Sequence, residues 1–337
     1  MRIDVIIESD KTPDEVIKLG RLAEELGLGG VWVANNANGR DAFVNFTPLA
    51  LQTKKIAIGP IAVSPQELHP LKMAISLLTF NELSGGRAQI VVGGGGGTAE
   101  SMGKKPFRQV KAMRECFEIL KMAANGERGS YQGEIFPIDW LDTSWAKLDP
   151  PMFYAGANGP QMLRNAARHA PGIMTSDFVP KRISWVHELI DPILKERGQN
   201  IPDYPINNFW AWHVKESKEE AYREARIWLC VRGTIYPEYI QDVVNEDEAK
   251  IVTDNLGSFT KAFYHKTPEI EGISDEIIEK IIDRGTSSST IDNIDREVER
   301  FKDFERAGLN QIALKVYENP ERAIRIIGEH IIPALID

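Results

Sequence analysis

The chain has 337 residues, 42% hydrophobic and 26% charged, enough to bury a sizeable core as one large α/β domain or two ordinary ones. Its formal net charge of -9 argues against nucleic acid or an anionic membrane surface as the main partner, while leaving room for a local basic pocket. No stretch approaches the ~18 consecutive apolar residues of a membrane span, the N-terminus reads as a strand rather than a leader, and Cys116 and Cys230 suit thiols in a reducing compartment, so a cytoplasmic protein without Cys/His metal spacing is expected.

In chain order, residues 3–8 are apolar and β-branched, a strand, and 13–27 carry helical periodicity with Glu and Lys on the polar face. A second buried strand follows at 29–35 (GGVWVAN), a third at 55–64 (KIAIGPIAVS) and a helix at 71–83. RAQIVVG at 87–93 is a fourth strand that runs into five glycines, 93–97, before a helix at 107–125. Residues 126–150, rich in Gly, Trp, Asp and Pro, have no clear period and read as a long loop with room for a short hairpin. Strands at 151–157, 172–178 and 206–214 are each followed by a helix, at 159–169, 181–197 and 217–231. From 234 to 282 the sequence is helical and charged without a strand, which reads as an insertion. A helix at 292–307, an eighth strand at 310–317 and a helix at 320–335 close the chain.

Repeated β/α alternation requires a parallel sheet with right-handed crossovers. Eight units in this length favour a closed (β/α)8 TIM barrel, one domain over 1–337 with the helical insertion 234–282 before the last strand. An open doubly wound sheet is the alternative that periodicity leaves open.

A barrel builds its site at the carboxyl ends of its strands. Those ends hold Glu8, Asn35, Asn36, residues 61–64, the glycine run, 156–158, 175–177, Trp212, His213 and Lys315. The set has no nucleophile–base pair and no metal-ligand cluster. Rich in glycine, amides and apolar groups, it suits a large flat ligand lying on backbone. Each glycine adds chain entropy that folding must overcome, so the run implies a close approach by something.

Two further stretches stand out. In AGANGPQMLRNA (155–166), Gly159-Pro160 opens a helix whose free N–H groups make either an anion site, most simply for phosphate, or an ordinary βα loop. Neither glycine turn is a dinucleotide fingerprint or a P-loop. Pro60, inside an otherwise central strand, calls for a bulge at the barrel rim. Glu8 is either a site acid or a solvated loop residue. Trp210 and Trp212 share one face, opposite Phe209 and Ala211, and read as packing residues; His69 and His213 read as structural.

LSGGRAQIVVGGGGG, with IAIGPIAVSP upstream and PPMFYAGANGPQMLRNAARHAPGIM downstream, resembles the bacterial luciferase-like superfamily. The pattern is most similar to its deazaflavin (coenzyme F420)-dependent branch and, within that, to the 5,10-methylenetetrahydromethanopterin reductases. FERAGLNQIALKVYENPERAIRIIGEHIIPAL is similar to the family's last strand and helix.

The resemblance implies a barrel with the cofactor ring at the strand carboxyl ends and a non-prolyl cis peptide, Ile61 to Ala62, behind it. It implies that Ser64 and Gly93, Gly94, Gly95 and Gly96 line the cofactor, and that Ala157, Asn158, Gly159 and Gln161 meet its phosphate. Asn35 and Asn36 stand where the branch carries Asp-His or a similar pair, and Gly96 where it often carries an acid. Proton delivery then falls to Glu8 or Glu100, or is unnecessary. The implied activity is hydride transfer between coenzyme F420 and a small organic substrate, a C1-carrying pterin being the leading class, in a homodimer or larger homo-oligomer. The same superfamily offers two alternatives, an FMN-dependent monooxygenase and a non-catalytic flavin-binding homologue.

Overall fold

The computed structural model describes residues 1–335, so the last two residues of the expected 1–337 domain lie outside the described residues. Eight parallel strands carry the fold: β1 (Arg2–Ile7), β2 (Gly30–Ala34), β3 (Ala57–Ile61), β4 (Gln89–Val92), β7 (Met152–Gly156), β8 (Gly172–Ser176), β9 (Ile206–Ala211) and β10 (Gln311–Lys315). Their order is β3-β2-β1-β10-β9-β8-β7-β4. The two end strands meet through parallel bridges, Ile58 with Ala88 and Val63 with Val92, so the sheet closes into the expected TIM barrel and the open-sheet alternative falls. The strands are apolar almost throughout because helices cover one face and the barrel interior the other.

The helices begin where the sequence supplies caps. Thr12 and Glu15 form a reciprocal capping box on α1 (Pro13–Glu25). The Asp41 side chain accepts the Val44 N–H at the start of α2 (Ala42–Gln52). That helix is absent from the sequence reading: AFVNFTPLALQ is apolar nearly all round and contains Pro48, so it shows no amphipathic period. Next come α3 (Pro70–Leu83), the short α4 (Gly97–Ser101) and α5 (Gln109–Ala124). The long loop does hold a hairpin, β5 (Arg128–Tyr131) antiparallel to β6 (Ile138–Asp142). Then follow α6 (Pro160–His169), α7 (Pro180–Glu196) and α8 (Lys218–Trp228).

Between β9 and β10 lie α9 (Glu246–Asp254), α10 (Leu256–His265), α11 (Asp275–Gly285) and α12 (Asp295–Arg306). The segment is tied to the barrel at both ends. Asp177, past the end of β8 and left-handed at φ 58°, accepts the Gly233 N–H at 2.7 Å and pairs with Arg232 at 3.4 Å. On the return, Trp212 bridges Ser287 and Lys215 bridges Thr290. Trp210 and Trp212 pack outward on Phe304 and Phe301 of α12, as their shared face suggested. α13 (Pro320–Ile326) closes the ring against α1.

The barrel interior is layered. At the amino-terminal foot, buried Asp4 accepts Arg2 Nε at 2.7 Å, Trp32 Nε1 at 2.9 Å and Asn207 Nδ2 at 3.3 Å. Arg2 also reaches Gln89 Oε1 at 2.8 Å, and the Tyr154 hydroxyl donates to Gln311 Oε1 at 2.6 Å. Above this polar plug lie Ile6, Trp32, Ile61, Val91, Tyr154, Met174 and Ala313. The mouth above them is open.

Candidate functional site

Closure of the barrel shapes one wall of the mouth. Ile58 bridges Ala88 and Val63 bridges Val92, so β3 and its exit run one residue longer than the opposing stretch of β4. That extra residue is the bulge Pro60 called for, and the Ile61–Ala62 peptide within it is cis. Asn35, just past β2, donates from Nδ2 to the Ala62 carbonyl at 3.1 Å and fixes the bulge from behind.

The glycine run leaves β4 beside this bulge. A Cβ at Gly93 would stand 3.3 Å from Ala62 Cβ. Gly95 has φ +93°, where a side chain is strained, and a Cβ there would stand 3.1 Å from Ser64 Oγ. At Gly96 a Cβ would meet nothing within 4 Å. The result is a wall of bare backbone.

Bulge and glycines line a cavity of about 940 Å³, at the large end for ligand sites. Asn35, Asn36, Ile61, Ala62, Ser64 and the four glycines 93–96 all border it, as does Glu8. Opposite stand Trp228, Val231, Phe263 and Tyr264, an apolar wall contributed by the end of α8 and by the insertion. Phe209 reaches it from β9, the inward position that period two assigns once Trp210 faces out.

Two charged sets lie at the mouth. Lys315, at the end of β10 and buried, holds Glu8 at 2.6 Å, while Asn36 Nδ2 reaches the other Glu8 oxygen at 3.2 Å. Burial, opposed by Glu8, brings the Lys315 ammonium down to about 8. Arg232 is also buried, paired with Asp177 and lying over the Phe209 ring at 4.7 Å. His213 is packed away from the cavity: buried, stacked on Tyr317 and bonded to Glu224 at 2.7 Å, with burial lowering its pKa. It is structural, and so is His69, which accepts the Leu71 N–H at the start of α3.

Glu100 does not join the site. It is exposed on α4, and the cavity is bordered by Thr98 and Ser101 of that helix instead. A carboxyl the structure brings to the cavity beside Glu8 is Glu67, half-buried in the loop after the bulge, whose Oε1 accepts Asn35 Nδ2 at 2.5 Å. Burial raises its pKa. In SPQELHP it looks like any loop glutamate, and no sequence signal sets it apart.

Ala157, Asn158, Gly159 and Gln161 sit outside the cavity lining, at the start of α6. Gly159 caps that helix without a side chain and Pro160 follows, leaving the first N–H groups uncapped. The Asn158 amide is engaged with Ser176, at 2.9 and 3.3 Å. The glycine run leads to this helix end, since a Cβ at Gly94 would lie 3.5 Å from Met162 Cε. Among the described residues no cluster of His, Cys, Asp and Glu could hold a metal ion, and no helix is long and apolar enough to cross a membrane.

Comparison with known proteins agrees with this architecture. The 5,10-methylenetetrahydromethanopterin reductase of Archaeoglobus fulgidus is 29% identical over 321 residues, covering 94% of each chain. The F420-dependent glucose-6-phosphate dehydrogenase of Nakamurella multipartita is 23% identical over 96% of this chain and 94% of its own. Among solved structures, the coenzyme F420 dependent tetrahydromethanopterin reductase of Methanopyrus kandleri superposes with a TM-score of 0.80 at 22% identity, covering 98% of both chains. A family profile described as luciferase-like monooxygenase matches residues 1–311, and the chain belongs to that family.

Proposed function

We propose that this protein is an oxidoreductase that moves a hydride between coenzyme F420 and a small organic substrate, with a C1-carrying tetrahydropterin as the leading substrate class. The observation that carries this reading is the wall of bare backbone formed by the glycine run and the β3 bulge inside a cavity of about 940 Å³. Its relatives above, a reductase and a dehydrogenase, support the same chemistry.

The residues present fit a flat tricyclic ring with an anionic tail. Ile61, Ala62 and Ser64 would support the ring, and Gly93, Gly94, Gly95 and Gly96 would let it lie against backbone. The uncapped N–H groups at the start of α6, whose Met162 side chain lies 3.5 Å from a Cβ built on Gly94, would take a phosphate on the tail. When bound, the deazaflavin supplies the hydride; the protein positions the partners and excludes water. Glu8, held by Lys315 and Asn36, orients the polar part of the substrate. Phe263 and Tyr264 cover it from the insertion, beside Trp228 at the end of α8, so residues 234–282 help to roof the mouth of one barrel domain.

We further propose a cytoplasmic homodimer or larger assembly. In support, Val44 and Leu51 on α2 are 72% and 67% exposed, apolar side chains suited to a partner. Light scattering of the purified chain tests it: a monomer mass at micromolar concentration overturns this part.

Fluorescence titration of the purified protein with coenzyme F420 and with FMN tests the main reading. Saturable binding of F420, followed by oxidation of the reduced coenzyme with a methylene-tetrahydropterin, is expected. Binding of FMN alone would favour the monooxygenase chemistry of the family. Binding of F420 without turnover on pterins, alcohols or aldehydes would favour a carrier.

A further inference from the structure

Three carboxylates border the mouth cavity among the described residues, and their surroundings differ. Glu8 has the Lys315 ammonium at 2.6 Å. Asp10 is exposed and lies 3.0 Å from Lys11. Glu67 has no cation. It is held by neutral groups: Asn35 Nδ2 at 2.5 Å, the Thr98 hydroxyl and the Ser64 backbone. The loop that carries it is firmly built, with Gln66 N–H on Ser64 Oγ at 3.0 Å and Glu67 and Leu68 N–H on the Ser64 carbonyl at 3.1 and 3.0 Å.

Its position matters as much as its company. Asn35 Nδ2 touches both Glu67 and the Ala62 carbonyl of the bulge, so the carboxyl stands against the wall that would support the ring. Beside this loop Gly96 carries no side chain, and Glu100 is out in solvent. The two carboxyls are thus held differently in one cavity, Glu8 by a cation and Glu67 by neutral groups.

We propose that Glu67 is the proton donor of this site, acting on a substrate whose reacting bond is C=N, C=O or one C–N bond of a carbon bridging two nitrogens. The inference rests on the functional reading above. The hydride that the bound deazaflavin would supply forms the new C–H bond. At a C=O or neutral C=N the π pair moves to the oxygen or nitrogen; at a carbon bridging two nitrogens the C–N bond that breaks leaves its pair on the departing nitrogen. In each case the atom that gains the pair takes the proton from the Glu67 carboxyl. The carboxylate left behind regains its proton from solvent through the open mouth.

Burial, the largest influence on Glu67, keeps a neutral acid available above the ordinary carboxylate range; the hydrogen bonds oppose it. The groups facing it add no strong charge. They are Asn35 from just past β2, Thr98 from α4 and the Ser64 backbone. Lys104 reaches the Gln66 carbonyl at 3.5 Å, and exposed His69 has its own pKa lowered by burial.

The test uses the full chain and the substitutions Glu67→Gln and Glu67→Asp. In the unliganded protein, ¹³C-carboxyl NMR should show one glutamate titrating above its fellows, with that signal lost in Glu67→Gln; titration of Glu67 in the ordinary range overturns the proposal. With reduced coenzyme F420 and a methylene-tetrahydropterin, Glu67→Gln should keep F420 affinity within about two-fold and KM near wild type. Its kcat should fall by about 100-fold or more and its pH profile should lose one of two alkaline steps, the other belonging to Lys315, while Glu67→Asp recovers part of the rate. Wild-type kcat and pH profile in Glu67→Gln overturn the donor role and leave the functional reading standing. Failure of the wild type to bind F420 overturns both.

Discussion

The two ends of the barrel interior solve opposite problems with similar residues. At the foot, Asp4 is buried and receives three donors from Arg2, Trp32 and Asn207, so a charge pair is locked into the core. At the mouth, Glu8 faces Lys315 across an open cavity with one further amide, and a second carboxyl, Glu67, has no cation at all. The foot spends its polar groups on holding eight strands in register. The mouth leaves polar capacity for a ligand, which is where perturbed groups collect.

Substitutions can break that division of labour. The largest effect is expected at the foot. Asp4→Ala leaves the buried Trp32 N–H unpaired and takes the counter-charge from Arg2, whose side chain keeps 28% exposure, and should lower stability by about 2 kcal/mol in urea unfolding, with F420 affinity little changed in the folded fraction. Gly59→Ala belongs to the same class: a Cβ there would lie 1.7 Å from the Gln89 carbonyl, so β3 and β4 cannot close, and far-UV melting should show the loss.

At the mouth, Lys315→Met should lower kcat/KM by about 100-fold by releasing Glu8. The pH dependence sharpens this. With the ammonium at about 8, rising pH discharges Lys315 and leaves Glu8 without its counter-charge, so wild-type activity should fall above about pH 8. Lys315→Arg should move that limb upward; an unmoved limb would exclude Lys315 as its source.

Gly95→Ala is next. It forces a side chain into a left-handed conformation, costing about 1 kcal/mol, and fills the bare wall, so F420 affinity should fall by about ten-fold in fluorescence titration.

The smallest effect is a gain. The Glu67 pKa is raised in the folded state, so the cost of its charge is fully present above the folded value and disappears as pH falls to the unfolded one. Glu67→Gln should therefore raise the melting temperature slightly at pH 8 and not at pH 4. An equal shift at both would mean that the glutamine merely packs better.

The foot and the mouth were also unequally legible. The repeated alternation of strand and helix patterns gave the barrel, and Pro60 gave the bulge, because these are local rules. The face shared by Trp210 and Trp212 announced their packing on α12. α2 escaped because an apolar helix has no period to read. Glu67 escaped because its meaning comes from Asn35 and Thr98, distant in the chain and adjacent only after closure. Glu100 followed from the opposite error: nearness in sequence to the glycines does not bring it to the cavity, since the first turn of α4 points it outward.

Amide hydrogen exchange with and without saturating coenzyme F420 tests the division between the two ends most directly. Slowed exchange is predicted at residues 61–68, 93–98 and 157–163, with no change at 2–5, 89–91 and 206–208. Protection confined to the foot, or none at the bulge and the glycine run, would contradict it.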